Sequence, residues 1–331
     1  MISLDSQDWA LIWALEKDPR VSYHTLAKSL GVSPNTVKNR IRKRREQRML
    51  GGGYAVLSRE MVGVEDIITV ITTDGTEKGA EFMKEIATYP SSCEIYRTGD
   101  RRYELWAMVT GTSEALGLNK TLEKLKSVIH VEMRPIVFVF PHMPPDYFMN
   151  TRGKKVTFSY NQLHVLRWLC QNIRMPVSDL AKRTRLTARR VRKIISEIQW
   201  GGGVHLANGY DPFALGDMEY RLKIWFDSDQ ITGRDFAHVL AKQYPNEFWW
   251  SSVTTNEPIL DVGLIINDAN QVPPIIQEIK TTPNITALED FVTYPRTVFP
   301  RSPLSQGLRR AFEETDLLEL ETSRQNGEKN T

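Results

Sequence analysis

The chain has 331 residues, of which 41% are hydrophobic and 25% are charged. This is the composition of an ordinary globular protein, so it excludes a chain that is disordered throughout, and the length predicts two to four compact units. The sequence contains no apolar run near the roughly 18 residues of a membrane span and no signal-peptide pattern at its N-terminus. We therefore expect a cytoplasmic protein.

Two basic blocks dominate the charge pattern, although the net charge is only +3. Residues 1–50 carry a net charge of +5 and residues 152–200 carry +10, which leaves −12 on the rest of the chain. Basic blocks in an otherwise acidic chain predict a polyanionic partner that contacts those blocks alone. The last residues are acidic and then polar, which predicts a short helix followed by a polar tail.

The N-terminal residues predict two helices separated from a third by a tight turn. An apolar stripe formed by Leu11, Ile12 and Leu15 indicates the first helix, with Asp5 as its N-cap. The second helix is expected to start near Ser22. Gly31 is expected to end it, because glycine readily adopts the left-handed backbone of such a turn.

A third, strongly basic helix follows this turn. Ser33 is its expected N-cap and Pro34 its first residue. Seven of the eleven residues from Lys38 to Arg48 are Lys or Arg. The triple glycine at 51–53 is expected to end the helix and to reverse the chain into a first strand, or wing. Three helices with this spacing predict a winged helix-turn-helix.

The rest of the first half alternates between strand and helix patterns. From about residue 64 to residue 141 the predicted order is strand, helix, strand, strand, helix, strand. This βαββαβ order predicts a ferredoxin-like domain, with a sheet covered by helices on one face.

The same arrangement is predicted a second time. Residues 25–41 match residues 179–195 at an offset of 154, and the segment 136–141 returns at 296–300. The segment 142–155, rich in Pro and polar residues, is the expected linker. The fold class is therefore α+β, with two tandem units, each a winged helix-turn-helix followed by a βαββαβ ferredoxin-like domain.

The repeat also predicts domain boundaries. They are 1–60 for the first winged helix-turn-helix, 61–141 for the first ferredoxin-like domain, 142–155 for the linker, 156–210 for the second winged helix-turn-helix, 211–300 for the second ferredoxin-like domain, and 301–331 for a C-terminal helix and polar tail.

The first unit resembles the Lrp/AsnC (feast/famine) family of prokaryotic transcription regulators, in which a winged helix-turn-helix precedes a βαββαβ effector and assembly domain. The positions that carry the resemblance are Leu4, Asp5, Asp8, Leu11, Ile12, Leu15, Arg20, Leu26, Ala27, Gly31, Ser33, Val37, Arg40 and Ile41. The segment 97–109, "RTGDRRYELWAMV", resembles the effector half more weakly. The resemblance covers about residues 4–141 and, more loosely, 158–300, which implies a tandem fusion of two such units.

The chain departs from the family pattern at several positions. Arg44 stands where an apolar residue usually closes the third helix, and Arg45 stands where Glu is usual. Arg185 replaces the turn glycine in the second copy, so we expect that turn to be reshaped, because a left-handed non-glycine residue costs on the order of 1 kcal/mol. The pair Gly99–Asp100 has no counterpart in 254–258, which argues against effector binding by the second copy.

DNA contacts are expected on both third helices. Such helices enter the major groove with their N-terminal residues at base edges and their longer cations on phosphates, and Asn suits adenine while Arg suits guanine. In the first copy the expected DNA-binding residues are Ser33, then Asn35, Thr36, Lys38, Asn39 and Arg40 at bases, and Arg42, Lys43, Arg45 and Arg48 at the backbone. In the second copy they are Thr187, Arg189, Arg190, Arg192 and Lys193.

The predicted function is that of a sequence-specific regulator that binds double-stranded DNA. A lone basic run is usually a solvated face, but two such runs on two predicted third helices favour DNA binding. The two helices differ in sequence, so one chain is expected to read two unlike half-sites. The expected assembly is a pseudo-dimer within one chain, a homodimer of chains, or both. An architectural DNA-binding protein without an effector remains an alternative.

The resemblance also implies small-molecule control. Effectors of the family, often amino acids, bind near the loop that here contains Gly99 and Asp100. A plain β-turn, in which glycine supplies the positive φ, is an equal alternative for this loop.

An enzyme of the same fold is the second alternative. Enzymes that decarboxylate siroheme, a modified tetrapyrrole, look like paired units of this fold, and the segment 102–111 resembles their middle strand. The six histidines form no cluster near that strand, so we expect no enzymatic activity. Neither metal-ligand spacing nor a nucleotide-binding motif is present, so no cofactor is expected.

Overall fold

The computed structural model describes residues 5–211, 214, 218–293, 297–298 and 303–313. The predicted polar tail falls at 314–331, outside the described residues.

The helices and strands of the first half are, in chain order, α1 (Ser6–Lys17), α2 (Tyr23–Leu30), α3 (Pro34–Glu46), β1 (Leu50–Leu57), α4 (Arg59–Val62), β2 (Glu65–Thr73), α5 (Gly79–Ile86), β3 (Ser92–Arg97), β4 (Arg102–Val109), α6 (Thr112–Glu123) and β5 (Val128–Val139). Those of the second half are α7 (Tyr160–Gln171), α8 (Val177–Thr184), α9 (Ala188–Trp200), β6 (Val204–Tyr210), β7 (Met218–Phe226), α10 (Gly233–Gln243), β8 (Phe248–Thr254), β9 (Ile259–Ile266), α11 (Val272–Lys280), β10 (Ile285–Val292) and β11 (Thr297–Val298). Residues 303–313 are also helical.

Side-chain caps define where the helices begin. Asp5 accepts a hydrogen bond from the backbone of Asp8, and the Asp8 side chain accepts one from the backbone of Asp5, which completes a capping box on α1. Ser22 and Ser33 accept equivalent bonds at α2 and α3, and Pro34 is the first residue of α3. The predicted starts of all three helices are therefore confirmed.

The two triple glycines are not equivalent, and the prediction that residues 51–53 end the third helix is wrong. Helix α3 ends at Glu46, and Arg48 takes the positive φ of 61° that turns the chain. The residue that corresponds to Arg48 in the second unit, 154 positions later, is Gly202, which has a φ of 77°. In the second unit the glycines therefore do end α9. Residues 51–53 instead lie within β1.

The turn after α8 is not reshaped, which corrects the expectation for Arg185. Arg185 has φ 56° and ψ 28°, close to the φ 66° and ψ 30° of Gly31 at the corresponding turn of the first unit. The backbone N–H of Arg185 donates to the carbonyl oxygen of Ala181, as that of Gly31 does to Ala27, so the same left-handed cap ends both helices and the strain of a left-handed arginine is tolerated.

The two βαββαβ halves form one antiparallel sheet of nine strands in the order β10-β7-β9-β8-β5-β2-β4-β3-β11. Within each half the strand order is that of a ferredoxin-like domain. The long strand β5 joins the halves, because its last residues, 136–139, pair with Ser251–Thr254 of β8. Strand β11 of the second half pairs with β3 of the first.

The halves of this sheet face each other. Lys223 on β7 lies 2.6 Å from Glu104 on β4, although four strands separate β7 from β4 in the hydrogen-bonding order. Arg221 on β7 also lies over the ring of Tyr96 on β3, 3.7 Å from its centroid. These contacts are possible only if the sheet folds back on itself, so its two halves pack against each other.

The two units are interleaved. Strand β1 of the first unit pairs antiparallel with β6 of the second. The core of the first helix-turn-helix includes Trp249 of the second sheet, whose ring centroid lies 5.6 Å from that of Trp9. The core of the second includes Leu57 of β1. Each helix-turn-helix domain therefore packs on elements of the other unit.

The predicted linker is packed against both units, and its Phe148 ring stacks on His205 of β6. It contains a short 3₁₀ turn, Phe148–Asn150, and the Asn150 side chain accepts from the backbone of Phe140 and donates to the carbonyl oxygens of Phe140 and Pro144. Tyr147 donates a hydrogen bond to the buried Glu16 of α1.

Strand β1 passes so close to the second unit that only glycine fits at residue 53. A Cβ on Gly53 would lie 2.0 Å from Cγ2 of Ile173, whereas a Cβ on Gly52 would have no atom within 4 Å. We expect Gly53→Ala to lower the free energy of unfolding by about 1–3 kcal/mol through overpacking. Gly52→Ala, the matched control, should change it by less than about 0.5 kcal/mol. Urea unfolding of both variants measures this, and equal effects would contradict the interleaved arrangement.

Candidate nucleic-acid interface

Helix α3 exposes most of its cations because its inward face consists of two apolar residues and a single buried arginine, Arg44. Val37 and Ile41 are buried in the core of the first helix-turn-helix. The exposed residues of this region include Ser33, Asn35, Thr36, Lys38, Asn39, Arg42, Lys43, Arg45 and Arg48. Of the expected DNA-binding residues of the first unit, all but Arg40 thus lie on an exposed surface.

Arg40 and Arg44 bind α1 instead. Arg40 forms ion pairs with Asp5 at 2.9 Å and Asp8 at 3.0 Å, and it donates a hydrogen bond to Gln7. Arg44 pairs with the same Asp8, which is only 1% exposed. The expectation that Arg40 faces bases is not supported by these contacts, because its guanidinium already holds α3 against α1.

Arg44 stands where the family pattern usually has an apolar residue. It can be buried there because it forms an ion pair with Asp8. Its guanidinium also donates to the Gln47 side chain at 2.9 Å. A buried arginine needs such partners, since an unpaired charge in the interior is costly.

Helix α9 presents the second cationic surface. Its apolar residues, Val191, Ile194, Ile195 and Ile198, are buried, while Thr187, Arg189, Arg192 and Lys193 are exposed. Arg190 is partly buried. Both Arg190 and Lys193 lie 3.9 Å from Glu197, contacts that are weak at an exposed surface. The Thr187 hydroxyl caps the helix, because it accepts a hydrogen bond from the backbone N–H of Arg190.

A reciprocal pair of arginines joins the two helix-turn-helix domains, and we call them the bridging arginines, Arg20 and Arg174. Arg20 donates to the carbonyl oxygens of Ile173 and, at 2.9 Å, Met175. Arg174 donates at 2.7 Å to both Pro19 and Val21. Each residue in one set of contacts is 154 positions from its counterpart in the other.

No sequence pattern predicted a role for the bridging arginines. Arg20 belongs to the pattern shared with the family, but its partners lie in the other unit, so only the alignment of the two copies at the offset of 154 could have paired it with Arg174. Together with the pairing of β1 and β6, these contacts relate the two domains by a local twofold pseudo-symmetry.

The loop with Gly99 and Asp100 is the exposed tip of the β3–β4 hairpin. Arg97 donates to the carbonyl oxygen of Gly99 at 2.8 Å and to the carboxylate of Asp100 at 3.2 Å. The Asp100 side chain is 92% exposed. Local bonds therefore hold the loop, and its carboxylate faces solvent.

Two further findings limit the chemistry of the described part of the chain. Residues 5–211, 214, 218–293, 297–298 and 303–313 contain no cluster of His, Cys, Asp or Glu suited to a metal ion. Among the helices in these ranges, none has the length and apolar composition needed to cross a membrane.

Comparison with known proteins agrees with this geometry. Residues 4–43 match the AsnC-type helix-turn-helix domain. The HTH-type transcriptional regulator FL11 of Pyrococcus horikoshii is 27% identical over 132 residues, which are 40% of this chain and 85% of FL11. The regulatory protein AsnC of Haemophilus influenzae is 24% identical over 137 residues, 41% of this chain and 85% of that protein.

A solved structure resembles nearly the whole chain. The crystal structure of the siroheme decarboxylase NirDL superimposes with a TM-score of 0.58 at 14% identity and covers 94% of this chain and 99% of that one. At this identity the match shows a shared fold alone. The sequence relatives confirm the resemblance to the Lrp/AsnC family: residues 4–43 match its helix-turn-helix domain, and the chain is similar in sequence to several transcription regulators of that family.

Proposed function

We propose that this protein is a tandem fusion of two Lrp/AsnC-like units that binds double-stranded DNA sequence-specifically and regulates transcription. In this proposal one chain reads two unlike half-sites, one with α3 and one with α9. The observation that carries it is the reciprocal contact of the bridging arginines, which fixes the two cationic helices in one pseudo-symmetric body.

A twofold arrangement of the two helices predicts the spacing of the half-sites. In twofold helix-turn-helix proteins the two recognition helices enter successive major grooves on one face of the duplex, so half-site centres lie about 10 base pairs, or a multiple of this, apart. The same geometry within a single chain requires no second copy of the protein, although a homodimer of chains would double the number of half-sites.

The unlike helices predict an asymmetric site. Asn35 and Asn39 are the exposed amides of α3, and Asn pairs bidentately with adenine. Helix α9 offers Arg189 and Arg192 instead, and Arg favours guanine. Arg42, Lys43, Arg45, Arg48 and Lys193 then contact phosphates, which position the protein without reading sequence. Arg40 is left out because it binds α1.

The proposal includes control by a small molecule, with the loop of Gly99 and Asp100 as its contact in the first unit. Local bonds already hold the backbone of this loop in place. The exposed carboxylate of Asp100 would therefore be the group that contacts the effector. A thermal-shift screen with an amino-acid panel tests this part, because a specific ligand must raise the midpoint of unfolding.

We propose a binding protein in the cytoplasm and not an enzyme. The fold match to NirDL suggests one check. An iron tetrapyrrole added to the purified protein should give no Soret band of a bound complex, and a stoichiometric band would favour an enzyme of that class.

Selection of binding sites from a pool of random duplexes tests the main proposal. The wild-type chain should select two different motifs at a fixed spacing. Asn35→Ala with Asn39→Ala should relax the first motif only, and Arg189→Ala with Arg192→Ala the second only. Selection of one palindromic motif, or of no motif, would contradict the proposal.

A further inference from the structure

A cavity lies between the two facing halves of the nine-stranded sheet. Its volume is about 160 Å³, and both units contribute to its walls. Trp106 of β4 and Phe138 of β5 come from the first unit, and Arg221 of β7 and Trp250 of β8 come from the second. Neither Gly99 nor Asp100 is among the described residues that line it, so the cavity is distinct from the hairpin loop.

Aromatic rings form most of the cavity wall. Phe138 stands between Trp106 and Trp250, edge to face with both, at centroid distances of 5.3 and 6.3 Å. Such rings pack well against the flat faces and edges of another aromatic system. The volume suits one ring or two fused rings.

Two buried polar atoms in the cavity wall have unused donor capacity. The Nε of Arg221 and the hydroxyl of Ser252 make no hydrogen bond to described protein atoms, and the two residues are 5% and 1% exposed. An unmade hydrogen bond in the interior costs free energy, so an acceptor held by both donors would stabilise the folded protein.

The charge around the cavity disfavours an anion. Arg221 already lies 3.2 Å from Glu219 and Lys223 lies 2.6 Å from Glu104. Asp261 adds a third buried acid near these two bases. A carboxylate in the cavity would therefore meet excess negative charge, whereas a neutral molecule would not.

We propose that this cavity binds a neutral, planar aromatic molecule that carries a hydrogen-bond acceptor, such as a carbonyl oxygen, held by Arg221 Nε and Ser252 Oγ. The ring lies among Trp106, Phe138 and Trp250. This proposal does not depend on DNA binding.

The linker provides the access route. Met149 lines this cavity and a neighbouring one of about 310 Å³, and Phe138 lines both as well. Methionine is unbranched and flexible, so rotation of its side chain joins the two spaces without movement of the backbone.

Calorimetric titration of the full-length protein without DNA tests the proposal with three probes. Benzamide is neutral and has a carbonyl acceptor, benzoate is its anionic counterpart, and indole is neutral and planar but lacks an acceptor. We expect benzamide to bind, and benzoate and indole to bind at least about tenfold more weakly, as expected for the loss of a buried hydrogen bond or the addition of a charge.

Two neighbouring serines provide the matched variants. Ser252→Ala should weaken benzamide binding about five- to tenfold, because one donor is lost. Ser251→Ala is the control on the same strand: its hydroxyl donates to Val139 and does not line the cavity, so affinity should stay within about twofold. Thermal unfolding confirms that both variants fold. Three results would overturn the proposal. The first is no binding heat with any probe, as for a cavity that holds only water. The others are equal affinity for benzamide and indole, and an equal loss of benzamide affinity in both variants.

Discussion

Replacing Arg42, Lys43 and Arg45 together with alanine is expected to flatten the salt dependence of DNA binding by about one unit of log Kd per log salt for each residue. All three side chains are exposed on α3, and each is placed at a phosphate in the proposed complex. Each lost phosphate contact removes the release of one condensed counterion, so affinity at low salt should fall most. Fluorescence anisotropy of a labelled duplex across a salt series measures the slope.

The control removes the same charge elsewhere. Lys120, Lys124 and Lys126 are exposed on or just after α6, away from both helix-turn-helix domains. Their replacement with alanine lowers the net charge equally but should leave the slope nearly unchanged. An equal change in both variants would assign the effect to net charge, and no change in the first would remove these residues from the interface.

The second large effect is expected in the buried ion pair that joins the sheet halves. Lys223 and Glu104 are 1% and 2% exposed, and the Tyr96 hydroxyl donates to the other oxygen of Glu104 at 2.9 Å. Burial alone would raise the pKa of Glu104, but the charge and hydrogen bond of Lys223 lower it below the usual value. Burial raises the pKa of the neighbouring Asp261 to about 6.

We expect Lys223→Met to lower the free energy of unfolding by about 3–5 kcal/mol, because it leaves a buried carboxylate without its counter-charge. Glu104→Gln added to this variant should restore most of the loss, since no unpaired charge then remains at that position and Tyr96 keeps an acceptor. Urea unfolding at neutral pH measures both. A loss below about 1 kcal/mol for the single variant would contradict the contact between the sheet halves.

Local features of the fold could be predicted from the sequence. The caps at Asp5, Ser22 and Ser33 and the left-handed turn at Gly31 depend on residues within one helical turn of each other. Short-range bonds of this kind are visible as sequence spacing, and so are the apolar stripes of the helices.

Features that depend on the other unit could not be predicted. The glycines at 51–53 looked like a helix stop, but Gly53 is required by the approach of Ile173. The role of Arg20 depends on carbonyl groups more than 150 residues away. Single-sequence patterns contain no information on such contacts, except where an internal repeat relates them.

The sequence predicts where the exposed cations of α3 and α9 lie, but not the contacts that each of them makes within the chain. The cations of α3 and α9 are exposed as a group because apolar residues recur at helical spacing beneath them. Arg40 and Arg44 differ, because Asp5 and Asp8 of α1 lie within reach of their guanidinium groups. Charge alone could not distinguish a cation that binds a neighbouring helix from one that faces a partner.

Hydroxyl-radical footprinting on a selected duplex, with one protein chain bound per duplex, tests the central claim most directly. The wild-type chain should protect two segments whose centres lie about 10 base pairs, or a multiple of this, apart. The variant with Arg189→Ala and Arg192→Ala should lose one segment and keep the other. Protection of a single segment by the wild-type chain would contradict the claim that both helices of one chain bind DNA together.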